Sequence, residues 1–206
     1  MADRKRRSIS ELALIGGASC LDLANTVEAR RGDGPLEHLS DYGDLLVWAE
    51  RSALVRVATA KRLAEIASER PFGARVTIQR ARELREDIYR VFRAIADGEE
   101  PLAGDLARLT AWWRADQGRR ELVASGPGFL LRTLAGDGAL DTVLWPVVSS
   151  AVELLTSDRL RRVRRCGDCD CLFIDDSRNG TRTWCGNECG NRARARRHYH
   201  ALHRRT

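Results

Sequence analysis

Apolar positions recur at three- and four-residue spacing along most of the chain, the period of a helix with one buried face. Leu39, Tyr42, Leu45, Leu46 and Ala49 predict an amphipathic helix over 38–52, and 59–68 and 103–116 repeat the pattern. The widest stripe runs through Ile78, Ala81, Leu84, Ile88, Val91, Phe92 and Ile95. It predicts a long helix over 74–97, closed by Gly98 and Pro101. Residues 21–30 predict a short helix ended by GDGP at 32–35. Residues 139–157 predict another, with Asp137 or Asp141 as N-cap and a kink at Pro146. Two stretches change period: 119–134 alternates around Gly126-Pro127-Gly128 as a β-hairpin does, and 10–16 reads as a strand closed by Gly16-Gly17. No repeat or low-complexity segment interrupts the series.

Length and composition add that 206 residues suit one medium domain with a small appendage, and 43% hydrophobic with 31% charged residues excludes a disordered or fibrous chain. Charge is more telling. Residues 159–206 carry 13 Arg against 5 Asp and Glu, +8, while 1–158 come to −2 within the total of +6. A basic tail on a near-neutral body predicts contact with a polyanion. RKRR at 4–7 precedes an apolar run that Glu11 interrupts, leaving about eight apolar or small residues at the bottom of the range for a secretory signal, and no segment approaches the length that spans a bilayer. The expectation is a cytoplasmic protein without a membrane partner, whose clustered thiols stay reduced and bind metal.

Five of the six cysteines fall within 166–189. Cys166 and Cys169 are separated by two residues, Cys185 and Cys189 by three, with fifteen between the pairs. Two close pairs of thiolates are what a tetrahedral zinc ion takes, and four protein ligands close the site, so the zinc is expected to be structural. Cys171 is then the spare, with Cys166/Cys171 as the alternative first pair, and Cys20 reads as a small buried residue. LFID before SRNG at 177–180 and TRTW after it predict a hairpin between the pairs, followed by a helix from Asn187. Knuckle, hairpin and helix make a treble-clef-like zinc finger. The fold class is therefore α+β: a mostly helical domain over 1–158 with a small antiparallel β element, then the finger over 159–206.

In the helix from Asn187, the positions Asn191, Ala195, Tyr199 and Leu202 form one face expected to pack on Phe173 and Trp184. Arg192, Arg194, Arg196 and Arg197 flank that face, and Arg178 sits in the turn. These five arginines are the candidate contacts to double-stranded DNA. The competing reading is a solvated face that offsets the negative charge of a tetrathiolate centre.

TRTWCGNECGNRARARRHY, with CLFIDDSRN upstream, resembles the CGNR zinc finger of bacterial proteins described as stress-induced transcriptional regulators. GGASCLDLANTVEAR, SDYGDLLVWAE, IYRVFRAIADG and LWPVVSSAVELLTS resemble the ABATE domain that precedes that finger in the same family. The resemblance covers essentially the whole chain. It implies zinc at Cys166, Cys169, Cys185 and Cys189 and DNA binding by the finger. The chain departs from the family in slightly tighter cysteine pairs and in carrying Cys171 where an aromatic residue is more usual.

If 20–30 is helical, Asp22, Asn25, Thr26 and Arg30 line one edge of it. Such an edge predicts a site for a small anionic effector, with Arg30 on the anion; the competing reading is capping and internal hydrogen bonding. No P-loop, dinucleotide turn or nucleophile elbow appears, and 171–184 contains no His to open a catalytic metal site. The expectation is a DNA-binding transcriptional regulator and not an enzyme, with a zinc-stabilised protein- or RNA-interaction module as the other reading. One finger with one basic helix binds weakly alone, which predicts a homodimer or help from an arm such as RKRR at 4–7.

Overall fold

The computed structural model describes residues 8–28, 30, 34–117, 120–133 and 139–203. The RKRR arm and Asp137 lie outside the described residues. In chain order the elements are α1 (Ser19–Ala24), β1 (Val27–Glu28), β2 (Leu36–Glu37), α2 (Tyr42–Arg51), α3 (Val57–Glu69), α4 (Pro71–Ala96) and α5 (Ala103–Gln117). They continue with β3 (Arg120–Ser125), β4 (Gly128–Thr133), α6 (Trp145–Leu155), β5 (Val163–Arg165), β6 (Leu172–Ile174) and α7 (Asn187–His203). The three strand pairs are separate and antiparallel: β1 with β2, β3 with β4, β5 with β6.

The long stripe read from the sequence is the spine. α4 presents Ile78, Ala81, Leu84, Ile88 and Phe92 to a core completed by Leu21 and Leu23 of α1, Leu45 and Trp48 of α2, and Val147 and Val148 of α6. Pro71 occupies its first turn, where a missing N–H leaves no bond unmade. α2 starts where Asp41 accepts from Asp44 N (2.9 Å) while the Asp44 carboxylate accepts from Ser40 N (2.7 Å), a reciprocal cap.

Four expectations are corrected. Residues 10–16 hold no strand; Ser8 and Glu11 form a capping box around a 3-10 turn, Ile9–Glu11. The helix expected over 21–30 stops at Ala24 and the chain turns into β1. Pro146 makes no kink, because a 3-10 turn at Leu140–Leu144 precedes α6 and puts the proline in the first helical turn. The hairpin around 177–180 does not form: β6 pairs backwards onto β5, across the first cysteine pair. Asp175 occupies the loop instead, accepting from Ser177 N (3.0 Å) and Arg182 N (2.8 Å).

β6 joins the two parts of the molecule. Alternation along Leu172-Phe173-Ile174 sends Leu172 and Ile174 into the helical core and Phe173 into a second, small core with Cys166, Cys171, Cys185 and Cys189. All three are buried. The finger's strand is thus part of the larger domain's core.

Candidate metal centre

Val163–Arg165 and Leu172–Ile174 hold the first cysteine pair between them as a tight knuckle. Cys166 N donates to Cys171 O (2.9 Å) and Asp170 N to Cys166 O (3.2 Å), with Asp170 in the left-handed region at φ +64°. Gly167 N bonds Thr183 O (3.0 Å), bringing the segment before Cys185 alongside. α7 begins at Asn187 and delivers Cys189 one turn after Cys185. The sulfurs of Cys166, Cys169, Cys185 and Cys189 then lie within 4.8 Å of one another. Cys185 Sγ is 3.6 Å from both Cys169 Sγ and Cys189 Sγ.

Those separations suit zinc, since thiolates at about 2.3 Å from a tetrahedral ion stand about 3.8 Å apart. The electrostatics agree. Hydrogen bonds from Cys166, then Cys171 and Cys185, push the Cys169 thiol far down, so one thiolate is stabilised by its neighbours. A second is opposed: the hydrogen bond to Cys166 heads the causes that raise Cys185, and burial with the Cys169 charge raises Cys189. Four thiols this close lose their protons together only when a cation shares the site. Support comes from the N–H of Cys185, which points at Cys166 Sγ (3.4 Å), and from Arg192 Nη2, which donates to Cys189 Sγ (2.9 Å). All four ligand positions are filled by protein, so zinc here is structural. Cys171, the spare thiol, is buried against the same cluster, and Cys20 is buried in the helical core with its thiol pushed up to about 12 by burial.

The arginines divide. Arg192 Nε reaches Asp168 Oδ2 at 2.8 Å, and Arg196 pairs with the other oxygen of the same carboxylate. The Asp168 side chain is only 2% exposed. Burial opposes its ionisation, but the hydrogen bonds from Arg196 and Arg192 outweigh that and hold its carboxyl below the ordinary value. These two guanidinium groups are therefore tied to the finger's own carboxylate, although the Arg196 side chain is 55% exposed. Arg178, Arg194 and Arg197 are at the surface; Arg197 lies 5.8 Å over the Trp184 ring and Arg194 meets Asn191 Oδ1 at 3.3 Å. The face expected to pack does not. Asn191, Ala195 and Tyr199 are exposed, and the first turn of α7 meets Trp184 beside Gly190; the Leu202 side chain lies outside the described residues.

Asp22, Asn25, Thr26 and Arg30 do not line a common pocket, because the helix that would align them ends at Ala24. Asp22 accepts from Gly16 N (2.7 Å) and Thr26 Oγ1 donates to Leu23 O (2.7 Å). Asn25 Nδ2 donates to Leu172 O and Asn25 Oδ1 accepts from Leu172 N, both at 2.8 Å. Arg30 forks onto Glu86 (2.7 and 3.1 Å) and lies 3.7 Å over Tyr89. Capping and internal bonding account for all four residues. Sequence reasoning missed Asp168, and it missed the seam in which Arg165 bridges Asp97 and Asp170 (both 2.7 Å). Only the clustering of arginines around CGDCD hinted at either.

A helical body sharing a strand with a four-cysteine, treble-clef-like finger defines a zinc-finger protein of α+β class. The family model "Putative stress-induced transcription regulator" (ABATE) matches residues 17–158, and the "CGNR zinc finger" model matches 162–201. The chain belongs to the ABATE family and carries the CGNR finger at its C-terminal end. No curated protein matches the chain in sequence. Among the described residues no helix is long and apolar enough to cross a membrane.

Proposed function

We propose that the protein is a cytoplasmic, non-enzymatic transcriptional regulator whose zinc finger binds double-stranded DNA. The observation that carries this reading is the placement of the finger's surface arginines. With Arg192 and Arg196 held by Asp168, and Arg162 by the Asp175 and Ser177 carbonyls (3.0 Å each), Arg178, Arg194 and Arg197 remain at the surface. Arg194 and Arg182 border a groove of about 430 Å³ that also contains Trp184 and the first residues of α7. Two arginines bordering one groove suit a phosphate backbone, with Arg182 also held to Cys185 O (2.8 Å).

The test is fluorescence anisotropy with the zinc-loaded protein and random duplex DNA across a salt series. Arg194→Ala with Arg197→Ala should weaken binding for every sequence and lower the salt slope by about 2, one for each phosphate no longer neutralised. No binding at low salt would refute the reading. Equal affinity for RNA would favour the interaction-module alternative. Pairing of two chains is proposed for the β3–β4 hairpin, whose Leu122 and Phe129 are 67% and 74% exposed; light scattering would show the dimer, and Phe129→Ser would lose it.

A further inference from the structure

A fifth cysteine beside a four-thiolate site is unneeded for zinc, and its surroundings suggest a use. Cys171 is buried in the small core with Cys166, Cys185 and Cys189, and Cys169 packs against the same core. Cys169 alone among the five is not fully buried. Both open onto a cavity of about 290 Å³ between the finger and the helical domain, walled on the far side by Leu12, Ala13, Ile15 and Leu36. That volume admits molecules several times the size of water. Arg192, which donates to Cys189 Sγ, supplies a cation at the wall. Cys169 and Cys171 flank Asp170, whose left-handed backbone brings their Cα atoms closer than the roughly 7 Å of an extended pair and within disulfide range.

We propose that Cys169 and Cys171 form a peroxide-reactive pair, with Cys169 the sulfur attacked and Cys171 the resolving thiol, and that small hydroperoxides reach them through this cavity. Cys169 sulfur attacks the terminal oxygen of the hydroperoxide; an S–O bond forms as the O–O bond breaks, and the alcohol leaves with a proton from water. Cys171 sulfur then attacks the sulfenic sulfur; the S–S bond forms as the S–O bond breaks, and hydroxide leaves with the Cys171 proton as water. The two sulfurs lose two electrons and the hydroperoxide gains them. Zinc loses one of its four ligands. The strain of that loss reaches the helical domain through Asp170, whose carbonyl accepts from Tyr89 Oη (3.4 Å) and whose carboxylate pairs with Arg165.

The experiment treats the full-length, zinc-loaded protein with hydrogen peroxide, follows zinc release with a colorimetric chelator, and maps disulfides by mass spectrometry without reduction. The expected result is a Cys169–Cys171 disulfide that appears with zinc release and is reversed by dithiothreitol plus zinc. Cys171→Ser should bind one zinc as the wild type does, yet after peroxide its Cys169 should go on to sulfinic acid and zinc binding should not recover. Ala13→Phe, at an exposed position on the cavity wall, should slow release several-fold without changing zinc content. A disulfide between Cys185 and Cys189, or full recovery of Cys171→Ser, would overturn the proposal. So would an unchanged rate in Ala13→Phe. DNA binding enters none of these readouts, so the proposal stands or falls apart from it.

Discussion

Asn25→Ala removes both hydrogen bonds that clamp the Leu172 backbone to α1's end. Asn25 is 3% exposed and Leu172 fully buried, so the freed N–H and C=O stay in a dry environment. Each unsatisfied group costs about 1–3 kcal/mol, giving a total of about 2–6 kcal/mol. For a chain of this length about 3 kcal/mol lowers Tm by roughly 6–12 °C. Urea titration of the zinc-loaded protein, followed by tryptophan emission, measures the loss directly. Asn25→Asp separates the two bonds. It keeps the acceptor for Leu172 N but turns a carboxylate oxygen on Leu172 O, so at pH 7 it should be no more stable than the alanine variant. Acidification lets the carboxyl donate, so Asn25→Asp should gain stability on the alanine variant as pH falls. An alanine variant within about 0.5 kcal/mol of wild type would refute the seam as described, because the buried groups would then have to find other partners.

Cys189→Ser should abolish zinc binding while Cys171→Ser retains one equivalent by elemental analysis, and metal removal should destabilise the helical domain as well, since β6 lies in both cores. Gly16→Ala should destabilise by about 1–3 kcal/mol, because its Cβ would stand 2.7 Å from Leu21 Cβ and 2.8 Å from Asp22 N; thermal melts test it. Asp22 is pushed up to about 6 by burial, only partly offset by the N–H groups of Gly16 and Ile15. Between pH 4 and 6 the folded state therefore holds more protons than the unfolded one, and this group's contribution falls as pH rises. Asn in its place should flatten stability across that window and gain on the order of 1 kcal/mol at pH 7 after solvent screening.

The helical scaffold was legible because α4 and α2 bury single stripes at helical spacing, and the cysteine pairs because metal geometry dictates their spacing. β6 was not. Leu172, Phe173 and Ile174 are apolar without interruption because each face of the strand has its own core, which erases the alternation that marks register. The helix over 21–30 failed for a related reason: Asn25 looks like an ordinary polar helix position, and its bonds to the Leu172 backbone depend on a tertiary neighbour. Arg192 and Arg196 are indistinguishable in sequence from Arg194 and Arg197; only the buried Asp168 sorts them.

α7 continues well past the finger, with Ala195 and Tyr199 exposed. Arg and Ala favour helix, yet starting an isolated helix costs on the order of 4 kcal/mol, so a short stretch in water is marginal. Cys185 and Cys189, fixed across the helix start by one ion, supply the nucleus from which the rest propagates. Arg194 and Arg197 then stand about 4.5 Å apart along a rigid axis, against roughly 10 Å in an extended chain. The spacing of positive charge offered to any polyanion is therefore set by an ion that touches neither arginine, and metal content becomes a gain control on the electrostatics of the tail.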